Sequence, residues 1–249
     1  DASYGGDANH SGSTAAQATF DITKAPSTVT VDPLSVEYDG NPHTTTFTVS
    51  GVGTGITQSV TWAYTGACSA APVNVADTPC TATATYAGDS NHFGNSGVNT
   101  ITITKAPSTT TLTFESGPYV YRGTAFEATA SVDGTGTTGF SSSVAPVYSG
   151  DCLNVTAANG CTATATYAGD NNHTGSSDSK SITITKKTLV ITPDPQTVLY
   201  GAADPAFTFG YSGFVLLEGP GNLTTLPVCS VPGSSPHAPE TYTISCVAG

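Results

Sequence analysis

The sequence predicts an all-β chain of tandem antiparallel β-sandwiches laid out as an extended rod. Three observations predict it. First, the stretch CTATATYAGD occurs at 80–89 and again, letter for letter, at 161–170, with a shorter echo, ASYGGD, at 2–7. Each copy runs on into Asn-His (Asn9-His10, Asn91-His92, Asn172-His173) and then into a tail ending Ile-Thr-Lys at Lys24, Lys105 and Lys186; Lys24 to Lys105 is 81 residues, and Lys105 to Lys186 is 81 again. A period that long is the size of a small sandwich rather than of a solenoid unit. Second, apolar residues alternate with Thr and Ser, no window has helical spacing, and the many β-branched side chains disfavour helix. Third, Gly, Asp and Asn-Pro turns punctuate the chain at short intervals, as they do between short antiparallel strands. A propeller blade also uses such strands, but three blades cannot close a propeller.

The period divides the 249 residues into four parts. Residues 1–24 match the last quarter of a repeat, with Phe20 and Ile22 alternating as a half-buried strand requires. Residues 25–105 are a whole repeat. Val29 and Val31 mark its first strand, YDGNP at 38–42 a turn, Phe47 and Val49 the next strand, and 51–55 a Gly-rich loop. Val60, Trp62 and Tyr64 then share one face, Ala82, Ala84 and Tyr86 share another with threonines opposite, and Ile101 and Ile103 close the repeat. Residues 106–186 follow the same plan through Leu112, Phe114, Phe126, Ala128, Ala130, Val132, Ile182 and Ile184. Residues 187–249 begin a variant repeat: Leu189 and Ile191, a turn YGAADP at 200–205, then Phe207, Phe209 and Tyr211, and finally Tyr242, Ile244 and Cys246. The joints are Lys24-Ala25-Pro26 and Lys105-Ala106-Pro107, where proline fixes φ and stiffens a very short connection; at the third joint Lys187 replaces Ala-Pro.

Composition narrows the partners. Eighteen acidic residues against six Lys and Arg give a net charge of −12, which argues against nucleic acid and against anionic membrane surfaces. No apolar run is long enough to span a bilayer, so no membrane insertion is expected, and Asp1 reads as a mature or internal start. The six cysteines fall as Cys68/Cys80, Cys152/Cys161 and Cys229/Cys246, one close pair per repeat and none with CxxC spacing. Paired cysteines of this kind fit disulfides in an oxidising, extracellular compartment, with free buried thiols as the alternative.

Candidate sites are few. The Gly-Asp-x-Asn-His loops (Asp7 and Asn9, Asp89 and Asn91, Asp170 and Asn172) offer oxygen ligands to calcium, but two side chains per loop fall short of the six to eight oxygens that calcium takes, and Asp and Asn also close tight turns. Turn chemistry is the reading, and no cofactor is expected. His10, His92 and His173 recur at one loop position, which is a shared structural role; no Ser-His-Asp, paired-Glu or HExxH pattern accompanies them, so no enzyme is expected. The strand-end lysines 24, 105 and 186 suit a Lys-Asn isopeptide crosslink or plain solvation. Asn9, Asn154, Asn172 and Asn222 stand in N-glycosylation patterns. Tyr119, Tyr121 and Arg122 suit either a sugar-stacking platform or packing.

The stretches ATYAGDSNHFGNSGVNTITITKAPSTTTLT, YAGDNNHTGSSDSKSITITK and VEYDGNPHTTTFTVSGVG resemble bacterial immunoglobulin-like repeats. VLYGAADPAFTFGYSGF, with Cys229 and Cys246 after it, is similar to MBG domains. The resemblance covers essentially the whole chain. It implies immunoglobulin-like sandwiches from the repeat array of a large bacterial surface or adhesin protein, where such repeats act as spacers in stalks and filaments. The alternative it leaves open is an adhesin segment that itself holds a surface glycan or a protein.

The outer segments carry one more expectation. Residues 187–249 and 1–24 together make 87, near the period, and Cys246 read on into Tyr4 keeps phase with Cys80 to Tyr86, one residue longer. The expected partners are therefore copies of the chain joined head to tail, or flanking repeats of a longer chain.

Overall fold

The computed structural model describes residues 2–134, 141–235 and 237–249. It is all-β, and the described residues form two compact units: 2–107 with Asp170–Thr174, and Ser108–Gly134 with 141–169 and the described part of Gly175–Gly249.

In the first unit, β1 (Ser3–Tyr4) and β2 (Ser13–Thr14) form a two-residue hairpin. Then come β3 (Ser27–Val31), β4 (Leu34–Glu37), β5 (Phe47–Gly51), β6 (Thr61–Gly66), β7 (Cys80–Tyr86) and β8 (Asn95–Thr104). β3 pairs with β5, and β4-β8-β7-β6 form a second sheet facing it. Asp32-Pro33 divides β3 from β4: proline has no N–H for a ladder, so the strand breaks there and changes sheet. β4 joins β8 in parallel, Leu34 opposite Ile101 and Glu37 opposite Thr104, a pairing added to the otherwise antiparallel ladders. The core lies between the sheets. Val29, Val31 and Val49 from one meet Ala84 and Tyr86 from the other, with Phe47, Ile56, Val60 and Trp62 around them. Cys80, Ala82 and Ile101 continue it under Leu34, Trp62 and Tyr64. Side-chain amides stitch the sheets along one edge: Asn95 Nδ2 donates to the Ser27 carbonyl at 2.6 Å and Asn99 Nδ2 to the Val31 carbonyl at 2.9 Å.

The second unit holds β9 (Ser108–Phe114), β10 (Ala128–Gly134), β11 (Ser141–Ser143), β12 (Val147–Gly150), β13 (Cys161–Tyr167) and β14 (Ser176–Ile182). Sheets β11-β10-β9 and β12-β13-β14 enclose Leu112, Phe114, Phe126 and Ala128 against Cys161, Ala163, Ala165, Ile182 and Ile184. Two small antiparallel sheets follow, β15 (Val190–Pro193) with β16 (Phe209–Ser212), and β17 (Pro227–Ser230) with β18 (Ser245–Ala248).

Two expectations need correction. Phe20 and Ile22 belong to no strand and are 84% and 87% exposed, because no neighbouring strand pairs with them. Tyr242 and Ile244 lie before β18 rather than in it. Alternation did not reveal the 3-10 turn Val75–Asp77, which is set instead by Asp77 Oδ2 accepting from the backbone N–H groups of Val73 and Asn74.

Candidate functional site

The three Asp-x-Asn-His loops are built alike from one motif, Tyr-x-Gly-Asp-x-Asn-His-x-Gly at Tyr4, Tyr86 and Tyr167, one glycine longer than the stretch read from the sequence. The first glycine of each (Gly6, Gly88, Gly169) has φ between +84° and +89°, which only glycine adopts without strain. At the second, a Cβ on Gly94 would stand 2.8 Å from the Tyr86 carbonyl oxygen, so nothing larger fits.

The aspartate organises each turn. Asp89 Oδ1 accepts from the backbone N–H of Asn91 (2.8 Å), the N–H of His92 (2.7 Å) and His92 Nδ1 (2.9 Å), while Oδ2 accepts from Tyr86 Oη at 2.6 Å. Asp170 Oδ1 repeats this with Asn172 N–H (2.7 Å), His173 N–H (2.6 Å) and His173 Nδ1 (2.9 Å). Asp7 repeats it with Asn9, His10 and the Tyr4 hydroxyl. The His10 side chain is 72% exposed where that of His92 is 2%, so the turn forms whether or not a sandwich lies against it. Its geometry is local.

Electrostatics follow from those bonds. The Tyr86 hydroxyl, then the loop N–H groups and His92, hold the Asp89 carboxyl far below the usual carboxylate range. The Tyr4 hydroxyl leads the same set at Asp7, whose value falls to about 2. His92 Nε2 lies 2.9 Å from the Val52 carbonyl oxygen. An acceptor stands at each nitrogen, which favours the protonated ring, and the bond to Val52 followed by that to Asp89 raises the imidazole above its ordinary value.

What the loops hold is the joints. Ala25 N–H donates to the Asn91 carbonyl (2.8 Å) and the Ala25 carbonyl accepts from Phe93 N–H (2.9 Å). Ala106 makes the same two bonds with Asn172 and Thr174, both at 2.9 Å. Each joint alanine is thus clasped by the loop 66 to 68 residues after it, as parallel bridges Ala25 to His92 and Ala106 to His173. The prolines that follow have no N–H to offer, so alanine carries both bonds. Lys105 Nζ donates to the Asp170 carbonyl, a solvated strand-end role of hydrogen-bonding kind.

Within the first unit, Asn172 does more than its counterparts show. Its Oδ1 accepts from Val75 N–H at 3.1 Å, its Nδ2 donates to Asn74 Oδ1 at 3.1 Å, and the His173 ring meets Tyr38 edge-on at 5.4 Å.

The structure places the other candidates as follows. Disulfides join Cys68 to Cys80, Cys152 to Cys161 and Cys229 to Cys246; the first two tie the opening residue of β7 and β13 to the loop before it, and the third crosses β17 and β18. Tyr119, Tyr121 and Arg122 are engaged inside the fold. Tyr119 packs on Phe114 and Phe126 and donates to the Glu115 carbonyl, Tyr121 donates to Glu218 at 2.6 Å, and Arg122 lies 4.1 Å over the Phe126 ring while forking onto Glu115. Among the described residues no three His, Cys, Asp or Glu side chains gather as a metal site, and no helix is long and apolar enough to cross a membrane. Sequence reasoning missed the Val52 carbonyl, Asn74 and the motif's closing glycine (Gly12, Gly94, Gly175); only the last recurs in all three copies and was there to be found.

Residues 189–249 match the family model described as MBG domain (YGX type), which points to a repeat region of a surface protein; three disulfides are consistent with an extracellular place for it. No curated protein and no solved structure matches the chain.

Proposed function

We propose that the chain is a non-catalytic spacer of bacterial immunoglobulin-like repeats, part of an extracellular stalk or filament. The single observation that carries this reading is the clasp: both Ala-Pro joints are held by the same two backbone bonds to the same loop of the repeat that follows. A linker meant to swing has no use for such bonds. A spacer gains from them, because tension on a joint is then met by two backbone hydrogen bonds to a loop whose shape its own aspartate fixes. Disulfides support the same reading by keeping the residues between each pair out of any extension. Single-molecule pulling is the test. Discrete unfolding peaks are expected, with contour gains that lengthen when the disulfides are reduced; smooth extension at low force would overturn the reading. The competing reading, a segment that binds glycan, leaned on Tyr119, Tyr121 and Arg122, whose rings and polar atoms are engaged within the fold. A glycan array is accordingly expected to stay blank, and a specific hit lost on Tyr121→Ala would favour the competitor.

A further inference from the structure

We infer that one position of each whole repeat, Tyr38 in the first and Tyr121 in the second, is a seat for a later segment of the chain, and that the two seats use different chemistry. The ring does the holding at Tyr38 and the hydroxyl at Tyr121. The inference rests on the spacer reading, since it names the side chains that hold the joints of that spacer.

Register puts the two tyrosines in one place. Tyr38 N–H donates to the Thr104 carbonyl at 2.9 Å, just past the end of the parallel pairing of β4 with β8. Tyr121 N–H donates to the Thr185 carbonyl, also at 2.9 Å, beside the parallel bridge of Val120 to Thr185. Each of these threonines comes two residues before a joint residue, Ala106 or Lys187. A glycine follows each tyrosine by two, Gly40 at φ +79° and Gly123 at φ +76°, so the chain turns away at once. Strand end and turn together leave the tyrosine beside the residues where one repeat passes into the next.

What each seat holds differs. At the first, the His173 ring meets the half-buried Tyr38 ring edge-on with centroids 5.4 Å apart, a contact that needs the ring alone. The Asn172 amide next to His173 is held by Val75 and Asn74. At the second, the Tyr121 hydroxyl donates to Glu218 Oε1 at 2.6 Å, a charge-assisted bond. Glu218 in turn closes the turn it belongs to. Its Oε2 accepts from Val215 N–H at 3.3 Å, and its own N–H donates to the Val215 carbonyl at 3.0 Å. Leu216, inside that turn, has φ +50°, a conformation uncommon for such a side chain and kept only where the surroundings impose it. Gly123 is part of those surroundings: a Cβ there would lie 2.8 Å from Leu216 Cδ1 and 3.1 Å from Val215 Cγ2, so the turn rests on the backbone of the seat. A carboxylate shared between Tyr121 and the turn makes the second seat selective for an acidic residue, whereas the first takes an aromatic edge.

Amide hydrogen exchange on the full 249-residue chain tests this, with Val75 N–H reporting the first seat and Val215 and Glu218 N–H the second. Tyr121→Phe keeps the ring and loses the hydroxyl. It is expected to quicken exchange at Val215 and Glu218 by about tenfold or more, the scale of a bond to a charged group. Tyr38→Phe should leave Val75 as it was, while Tyr38→Ala should quicken it. The amides of β8 and β14 should exchange as before in all three. Glu218→Ala should quicken Val215 and its neighbours, and adding Tyr121→Phe to it should change nothing further, since the partner of the hydroxyl is already gone. Unmoved exchange at Val215 and Glu218 in Tyr121→Phe, additive effects in the double variant, or a change in Tyr38→Phe equal to that in Tyr38→Ala overturns the inference. Quickening throughout β8 or β14 overturns it too, because the tyrosines then act on stability at large. If those results come with discrete unfolding peaks under pulling, the seats fall and the spacer reading stands; the expected exchange with smooth extension at low force removes the spacer reading and leaves the seats.

Discussion

At the scale of single residues, the pair Asp89–His92 makes the fold sensitive to pH in a direction the geometry dictates. The imidazole sits above its ordinary value because an acceptor faces each nitrogen, the Val52 carbonyl at one and Asp89 at the other. A group whose folded value is raised stabilises fully below its unfolded value, about 6.5 for histidine, and loses that contribution as pH climbs through the folded value. Asp89 is depressed, so its contribution is present above the ordinary carboxylate range and is lost as pH falls through its folded value. Melting temperature is therefore expected to be highest between about pH 4 and 6.5 and to fall on the alkaline side, followed by calorimetry across pH. His92→Gln should flatten the alkaline fall, since an amide does not titrate; an unchanged slope would place the pH dependence elsewhere. Tyr86→Phe removes the hydroxyl that contributes most to the Asp89 depression, and should move the acid limb to higher pH while leaving the alkaline limb in place.

At the scale of elements, β7 and β13 share one heptapeptide and nearly one burial pattern, Cys and Ala inward and Thr outward. Alanine is required because the opposite sheet lies close: Ala82, Ala84, Ala163 and Ala165 are fully buried. Ala163→Leu is therefore expected to cost about 1–3 kcal/mol by overpacking, read from a denaturant midpoint. Replacing both Cys152 and Cys161 by Ala opens a loop with a sequence separation of nine. That should cost roughly 2–3 kcal/mol of unfolding free energy by the chain-entropy relation, in the unit built on β9 to β14, with the first unit's transition unmoved. These strands were legible because their alternation is strict and their core is made of the alternating residues. β4 was not, since a four-residue strand after Asp-Pro carries little pattern and its parallel partner lies 67 residues away. Phe20 and Ile22 show the other limit: alternation says which face a strand would bury but not whether a neighbour is there to cover it. The Asp-x-Asn-His turn was legible as turn chemistry because its bonds span two or three residues, whereas the Val52 carbonyl reaches His92 across 40.

At the scale of the whole molecule, the compact units do not follow the chain's linear order. Asp170–Thr174 leaves β13 and returns to β14, both in the second unit, yet it is part of the first. Asn172 is the residue through which this is felt, because its side chain bonds a backbone N–H and a side chain some 97 and 98 positions earlier. Its backbone meanwhile clasps Ala106, so a side-chain change there tests the long-range contact without touching the clasp. Asn172→Ala leaves the half-buried Val75 N–H without its acceptor and Asn74 without its donor, at about 0.5–1.5 kcal/mol for each bond. Hydrogen exchange at the Val75 amide should then quicken roughly tenfold for each 1.4 kcal/mol lost, if local opening governs it. Asn172→Asp keeps the acceptor for Val75 and loses only the donor to Asn74, so it should restore most of the protection. Amides of β17 and β18, in the other unit, should exchange as before in both variants. Equal quickening across both units would mean that Asn172 acts on global stability, and unchanged exchange at Val75 would mean that the contact contributes nothing.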